Sequence, residues 1–125
     1  MDHLVKISQE NGVARIVLNR PELNNALSPQ LIDELRAALD ATASDASVAT
    51  VVLSGEGKSL CAGADINRMR EAATFSRDDN VRDALPLSKM LAALDRLPQT
   101  TIGRVHGPIY GGGVGVVAAC DIAIA

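Results

Sequence analysis

Apolar and β-favouring residues gather at positions 4–8 and again at 13–18, around Gln9-Glu10-Asn11-Gly12. Asn-Gly between two such stretches predicts a β-hairpin. Asn19-Arg20-Pro21 closes the second strand, and a polar loop covers residues 22–25. Ser28-Pro29 then opens a helix, with Ser as the cap and Pro in the first helical position. Leu31, Ile32, Leu35, Ala38 and Leu39 lie on one face of it, and it fades at residues 43–45. Residues 48–53 form a near-continuous apolar run, which predicts a strand buried on both faces. A loop follows at 54–58, and a short helix is expected at 67–73. Residues 74–83 are polar and poorly periodic, a loop or a weak helix. From Pro86 onward Leu87, Met90, Leu91, Leu94 and Leu97 recur at helical spacing until Pro98 stops them. A strand at 100–105, a helix at 113–120 and a last strand at 121–125 complete the pattern. Strands alternating with helices argue for an α/β layered architecture.

Composition narrows the classes. At 125 residues, 47% hydrophobic and 22% charged, the chain is the size and type of one ordinary globular domain. A net charge of −3 without blocks of like charge speaks against nucleic acid. Phe75 and Tyr110 are the only aromatics, so stacking platforms are excluded. The apolar residues are mostly small, so the core should be modest and in need of further covering surface. Cys61 and Cys120 make no disulfide framework and have no partners at metal-ligand spacing. Residues 1–12 show no basic region followed by an apolar stretch, so no signal peptide is expected, and the run at 109–120 is too short for a bilayer. The expected compartment is the cytoplasm.

Most chemical motifs fail on inspection. Gly57-Lys58-Ser59 would need a further Gly where Val52 stands to be a phosphate loop. Gly113-x-Gly115-x-x-Ala118 lacks the adjoining strand and the later acidic residue of a dinucleotide site, so a generic nucleotide-binding domain is disfavoured. His3 and His106 are far from any nucleophile signature. Asp65 suits a helix cap better than a general base. Two clusters of small residues remain, Ala62-Gly63-Ala64 and Gly111-Gly112-Gly113. Each is either a point of close backbone packing or presents a backbone N–H to a ligand atom at a helix start. If both converged on one oxygen, they would make an oxyanion hole built wholly of main chain.

Three stretches carry a family resemblance. NRPELNNALS at residues 19–28, VVLSGEGKSLCAGADI at 51–66 and GRVHGPIYGGGVGVVAACDIAIA at 103–125 together resemble the crotonase superfamily, the enoyl-CoA hydratase/isomerase family. The resemblance runs in register from about residue 4 to the last residue. It implies a crotonase-like (ClpP/crotonase) spiral of ββα units, with residues 1–125 as one partial domain. This would be the N-terminal half, without the C-terminal half and its trimerising helices. It implies an acyl-CoA thioester as ligand and no cofactor beyond the CoA of the substrate. The oxyanion-hole amides would fall on Ala64 and Gly112. Substrate-lining positions would be Glu22, Asn24, Ala26, Ala62, Asp65, Ile66, Tyr110 and Gly111. No metal, nucleic acid or membrane is implied, and the full-length family suggests a trimer or hexamer.

The departures from the family pattern matter equally. The first of two glutamates typical of hydratases would stand at Gly115, which cannot move a proton. The second would lie beyond Ala125. The final stretch looks similar to bacterial hydratases acting on branched unsaturated thioesters such as methylglutaconyl-CoA, in leucine or isoprenoid breakdown, and the resemblance as a whole implies a place in fatty-acid or branched-chain amino-acid catabolism. The expected function is therefore a hydratase-type lyase for a 2-enoyl-CoA, with these 125 residues alone expected to be inactive. The alternatives are an enoyl-CoA isomerase and a non-catalytic module that binds acyl-CoA or itself.

Overall fold

The computed structural model describes residues 3–61, 74, 76–109 and 112–125. Strands β1 (Val5–Glu10) and β2 (Val13–Leu18) pair antiparallel, with Glu10 opposite Val13. Asn11 and Gly12 alone make the turn, with φ of 52° and 79°, the left-handed values that a two-residue hairpin requires. β1 therefore extends to Glu10, past the expected residue 8, because the tight turn leaves Gln9 and Glu10 free to pair.

A 3-10 turn (Pro21–Leu23) leads to helix α1 (Pro29–Ala43). The Ser28 Oγ accepts from the Leu31 N–H at 3.2 Å, as the cap motif predicts. Leu31, Ile32, Leu35, Ala38 and Leu39 are all buried. β3 (Thr50–Gly55) then pairs parallel with β2, and β4 (Thr100–Arg104) pairs parallel with β3. Ala14, Val51 and Thr101 stand in register, as do Ile16, Leu53 and Gly103, and all are buried. Their neighbours Thr50 and Val52 are only half-buried. Burial of β3 on both faces is thus not found. Its side chains alternate, and among the described residues the core fills one face of the sheet.

Helix α2 (Arg77–Asp95) begins nine residues before Pro86 and runs through it. The expected start at Pro86 is therefore corrected. Arg77, Asp78, Arg82, Ala84 and Leu85 are exposed, so these described residues form no apolar stripe. Met90 and Leu94, in the second half, are buried against the core. Helix α3 (Gly112–Ala119) and strand β5 (Ile122–Ile124) close the chain, with β5 parallel to β4.

The strand order is β1-β2-β3-β4-β5, with one antiparallel and three parallel pairings. The α/β architecture read from the pattern is the one observed. Val114, Ile122 and Ile124 remain exposed on α3 and the edge strand, in keeping with a modest core. Among the described residues no helix is long and apolar enough to cross a membrane. The helix expected at 67–73 and the cap role of Asp65 lie outside the described residues.

Candidate functional site

Because β2, β3 and β4 are parallel, the segments that leave them share one edge of the sheet. Open α/β sheets gather ligands at this carboxyl edge. Here the segments are 19–26, 56–61 and 105–109, and helix α3 begins just after the last of them.

Polar bonds lock these segments together. Asn25 is completely buried and holds φ 55°. Its Oδ1 accepts from the Arg20 N–H at 2.7 Å, and its Nδ2 donates to the carbonyls of Glu56 and Ser59, each at 2.9 Å. The Cys61 thiol donates to the Asn25 carbonyl at 3.3 Å. Ser59, also buried, donates its hydroxyl to the Pro108 carbonyl. The Leu60 N–H donates to the His106 carbonyl at 2.9 Å, and the His106 Nε2 lies 2.8 Å from the Gly57 carbonyl. His106 therefore braces a loop, and no nucleophile adjoins it among these bonds.

Glycines let the backbones close up. A Cβ at Gly107 would overlap the Lys58 carbonyl oxygen, and one at Gly113 would overlap the Cys61 carbonyl oxygen. The second contact matters most for chemistry. Cys61 directly precedes the Ala62-Gly63-Ala64 cluster, and Gly113 directly follows Gly112. Two stretches about fifty residues apart thus meet, backbone on backbone. Gly112 is the first residue of α3, where a main-chain N–H has no partner within the helix.

The other expected site residues divide into two groups. Glu22 is exposed within the 3-10 turn, and Asn24 caps it with φ 51° and a bond from its N–H to the Pro21 carbonyl. Ala26 has a buried side chain, and its carbonyl accepts from Arg20 Nη1 at 3.3 Å. Ala62, Ala64, Asp65, Ile66, Tyr110 and Gly111 lie outside the described residues. Asn25 and Ser59 were not singled out by sequence. Their signal was weak: two polar residues set directly against the apolar stretches that begin at Ala26 and Leu60.

Cys120 is held as the neutral thiol. Burial, and then the neighbouring Asp121 carboxylate, raise its pKa to about 11, so it stays protonated near neutral pH. Among the described residues no cluster of three or more His, Cys, Asp or Glu could hold a metal ion.

The sequence profile of the enoyl-CoA hydratase/isomerase family matches residues 8–125. The chain belongs to the enoyl-CoA hydratase/isomerase family. It is 37% identical over 120 residues to enoyl-CoA hydratase AKT6-1 of Alternaria alternata, an alignment covering 96% of this chain and 38% of that relative. It is 36% identical over 124 residues to 4-chlorobenzoyl coenzyme A dehalogenase-2 of an Arthrobacter species, covering 98% of this chain and 45% of the other. The solved structure of an enoyl-CoA hydratase from Shewanella pealeana superposes with a TM-score of 0.92 at 33% identity, covering 97% of this chain and 46% of that one. The chain thus spans less than half the length of these relatives. Over the matched part, the crotonase-like α/β fold implied by the sequence is confirmed.

Proposed function

We propose that the protein binds an acyl-CoA thioester and stabilises the charge on its carbonyl oxygen with the N–H groups of Ala64 and Gly112. The supporting observation is the meeting of Gly113 with the Cys61 carbonyl, which joins the flanks of the two donor stretches. A thioester oxygen becomes enolate-like when the α-carbon gains or loses a proton or the β-carbon gains a nucleophile. Fixed donors aimed at that oxygen stabilise the developing charge, and one such donor is typically worth about 10²–10³ in rate. Main-chain donors also survive changes of side chain. Glu22, Asn24 and Ala26 are proposed to line the ligand together with Ala62, Asp65, Ile66, Tyr110 and Gly111. Ala26 would contribute main chain, since its side chain is buried.

The proposed reaction is hydration of a 2-enoyl-CoA with a branched acyl group, water adding at the β-carbon. Coenzyme A enters as part of the substrate, with no separate cofactor. One relative is named a hydratase and another a dehalogenase of a CoA thioester. The thioester is common to both names, so it is the better-supported half of the proposal.

A second reading rests on Gly115. A Cβ there would stand 3.2 Å from the Leu91 Cδ1, so this position packs α3 on α2 and offers no acid or base. By itself the chain would then be an acyl-CoA-binding module with negligible turnover. The two readings separate in a hydration assay on crotonyl-CoA, followed by loss of the conjugated thioester absorbance. Robust turnover by the 125 residues alone would overturn the argument from Gly115. In a full-length form, Gly112→Pro removes one donor at a helix position that proline fits. A loss of about 10²-fold is expected, and a rate near that of the parent would contradict the oxyanion assignment.

A further inference from the structure

We propose that Asn25 and Ser59 are positioning residues that hold the two donor stretches at a fixed separation. The inference rests on the oxyanion reading and deepens it. The two side chains form one buried polar relay across the carboxyl edge of the sheet. It starts at the Arg20 N–H, which donates to Asn25 Oδ1. Asn25 Nδ2 then donates to the Ser59 carbonyl, and the Ser59 hydroxyl donates to the Pro108 carbonyl. The segments after β2, β3 and β4 are thereby joined in series.

Burial and direction give the relay its force. Asn25 is 0% and Ser59 1% exposed. Buried polar groups cost free energy unless bonded, so each bond resists displacement in a set direction. Apolar packing alone would allow sliding. Both Nδ2 protons of Asn25 are used, on Glu56 and Ser59. Its φ of 55° is one that Asn tolerates better than most residues. The relay ends close to the proposed chemistry on both sides. Ser59 stands three residues before Ala62, and Pro108 four before Gly112. A shift at Ser59 therefore changes the spacing of the donors. Oxyanion donors need placement within about 0.5 Å.

This arrangement separates grip from polarisation. The bulk of the CoA makes no use of the relay, so its removal should spare affinity. Polarisation of the thioester carbonyl should suffer, because it depends on both donors at once. The test is the carbonyl stretching frequency of crotonyl-CoA bound to the 125-residue chain, measured by isotope-edited infrared difference spectroscopy.

The parent should lower the frequency relative to free crotonyl-CoA. Ser59→Ala and Asn25→Gly should each lose more than half of that shift. The dissociation constant should change by less than about threefold, since binding shared by ground and activated states is retained. Ser59→Thr keeps the hydroxyl and should restore the shift. Glycine is chosen at 25 because it accepts the positive φ, and the Ser59 pair decides the matter should that variant fail to fold. Full shifts in both variants would overturn the positioning role while leaving the oxyanion reading intact. Parallel loss of shift and affinity without rescue by Thr would reduce the relay to a structural one and overturn the inference. Absence of any shift in the parent would remove the oxyanion reading itself, and this inference with it.

Discussion

The two ends of the parallel strands are built to different tolerances. At the amino end, Gly12 has φ 79°, yet the nearest atom to a Cβ there is the Ser47 carbonyl oxygen at an ordinary 3.5 Å. At the carboxyl end, Gly107 has φ 70° and foreign backbone fills the place of its Cβ. Gly113, with no positive φ, has the same intrusion from Cys61. Polar groups follow the same division. The buried Gln99 side chain at the amino end leaves its Oε1 without a partner among the described residues, while Nε2 donates to the Thr42 carbonyl at 2.7 Å. At the carboxyl end both Nδ2 donors and the Oδ1 of Asn25 are bonded. One end closes the fold with room to spare. The other fixes backbones against each other, as a site made of main-chain donors would require.

Alanine at single glycines tests this contrast directly. Gly107→Ala should have the largest effect, about 3–4 kcal/mol, because left-handed strain adds to overlap with the Lys58 carbonyl. Gly12→Ala carries the strain alone and should cost about 1–2 kcal/mol. Urea midpoints would rank the two, and equal losses would break the comparison. Gly113→Ala forces the Cys61 backbone to move and should cost about 1–3 kcal/mol. Acyl-CoA binding should weaken with it. Gly115→Ala meets only the flexible end of Leu91, and the gain in helix propensity of up to about 1 kcal/mol offsets that contact. Its stability should stay near that of the parent, and a large loss there would show that α3 as a whole resists any added carbon.

The smallest effect lies at Cys120, where α3 passes into β5. Its folded pKa is raised from the ordinary 9.0 to about 11, so the fold prefers the neutral thiol. That contribution is complete below pH 9 and is lost as pH rises from 9 towards 11. Melting temperatures should fall over that window more steeply for the parent than for Cys120→Ala. Identical slopes would show that burial does not hold the thiol neutral. Asp45 titrates in the opposite sense. Bonds from the Ser47 hydroxyl and N–H hold its carboxyl below the usual range, so its contribution is present above the ordinary carboxylate pKa and fades as pH falls through the lowered one.

Local chemistry made much of the fold legible in the sequence. Asn11-Gly12 named the hairpin, Ser28-Pro29 named the start of α1, and the leucine spacing named the buried half of α2. What escaped was whatever tertiary contact decides. In the first half of α2 the described side chains at 77, 78, 82, 84 and 85 are exposed, so they leave no apolar stripe to read. One-sided burial of β3 was hidden because Val52 is apolar without being deeply buried. At the site, the glycine clusters were visible as chemistry, but the meeting of Cys61 with Gly113 depends on a contact across about fifty residues. Asn25 and Ser59 escaped notice because an isolated Asn or Ser gives no sign in sequence of the three partners its side chain bonds at 25, or of the one at 59.

The most direct test is a crystal structure of the protein with a bound unreactive acyl-CoA analogue. The thioester oxygen should lie about 2.7–3.1 Å from the main-chain nitrogens of both Ala64 and Gly112. An oxygen bonded to neither, or a ligand bound away from the carboxyl edge of the sheet, would contradict the account.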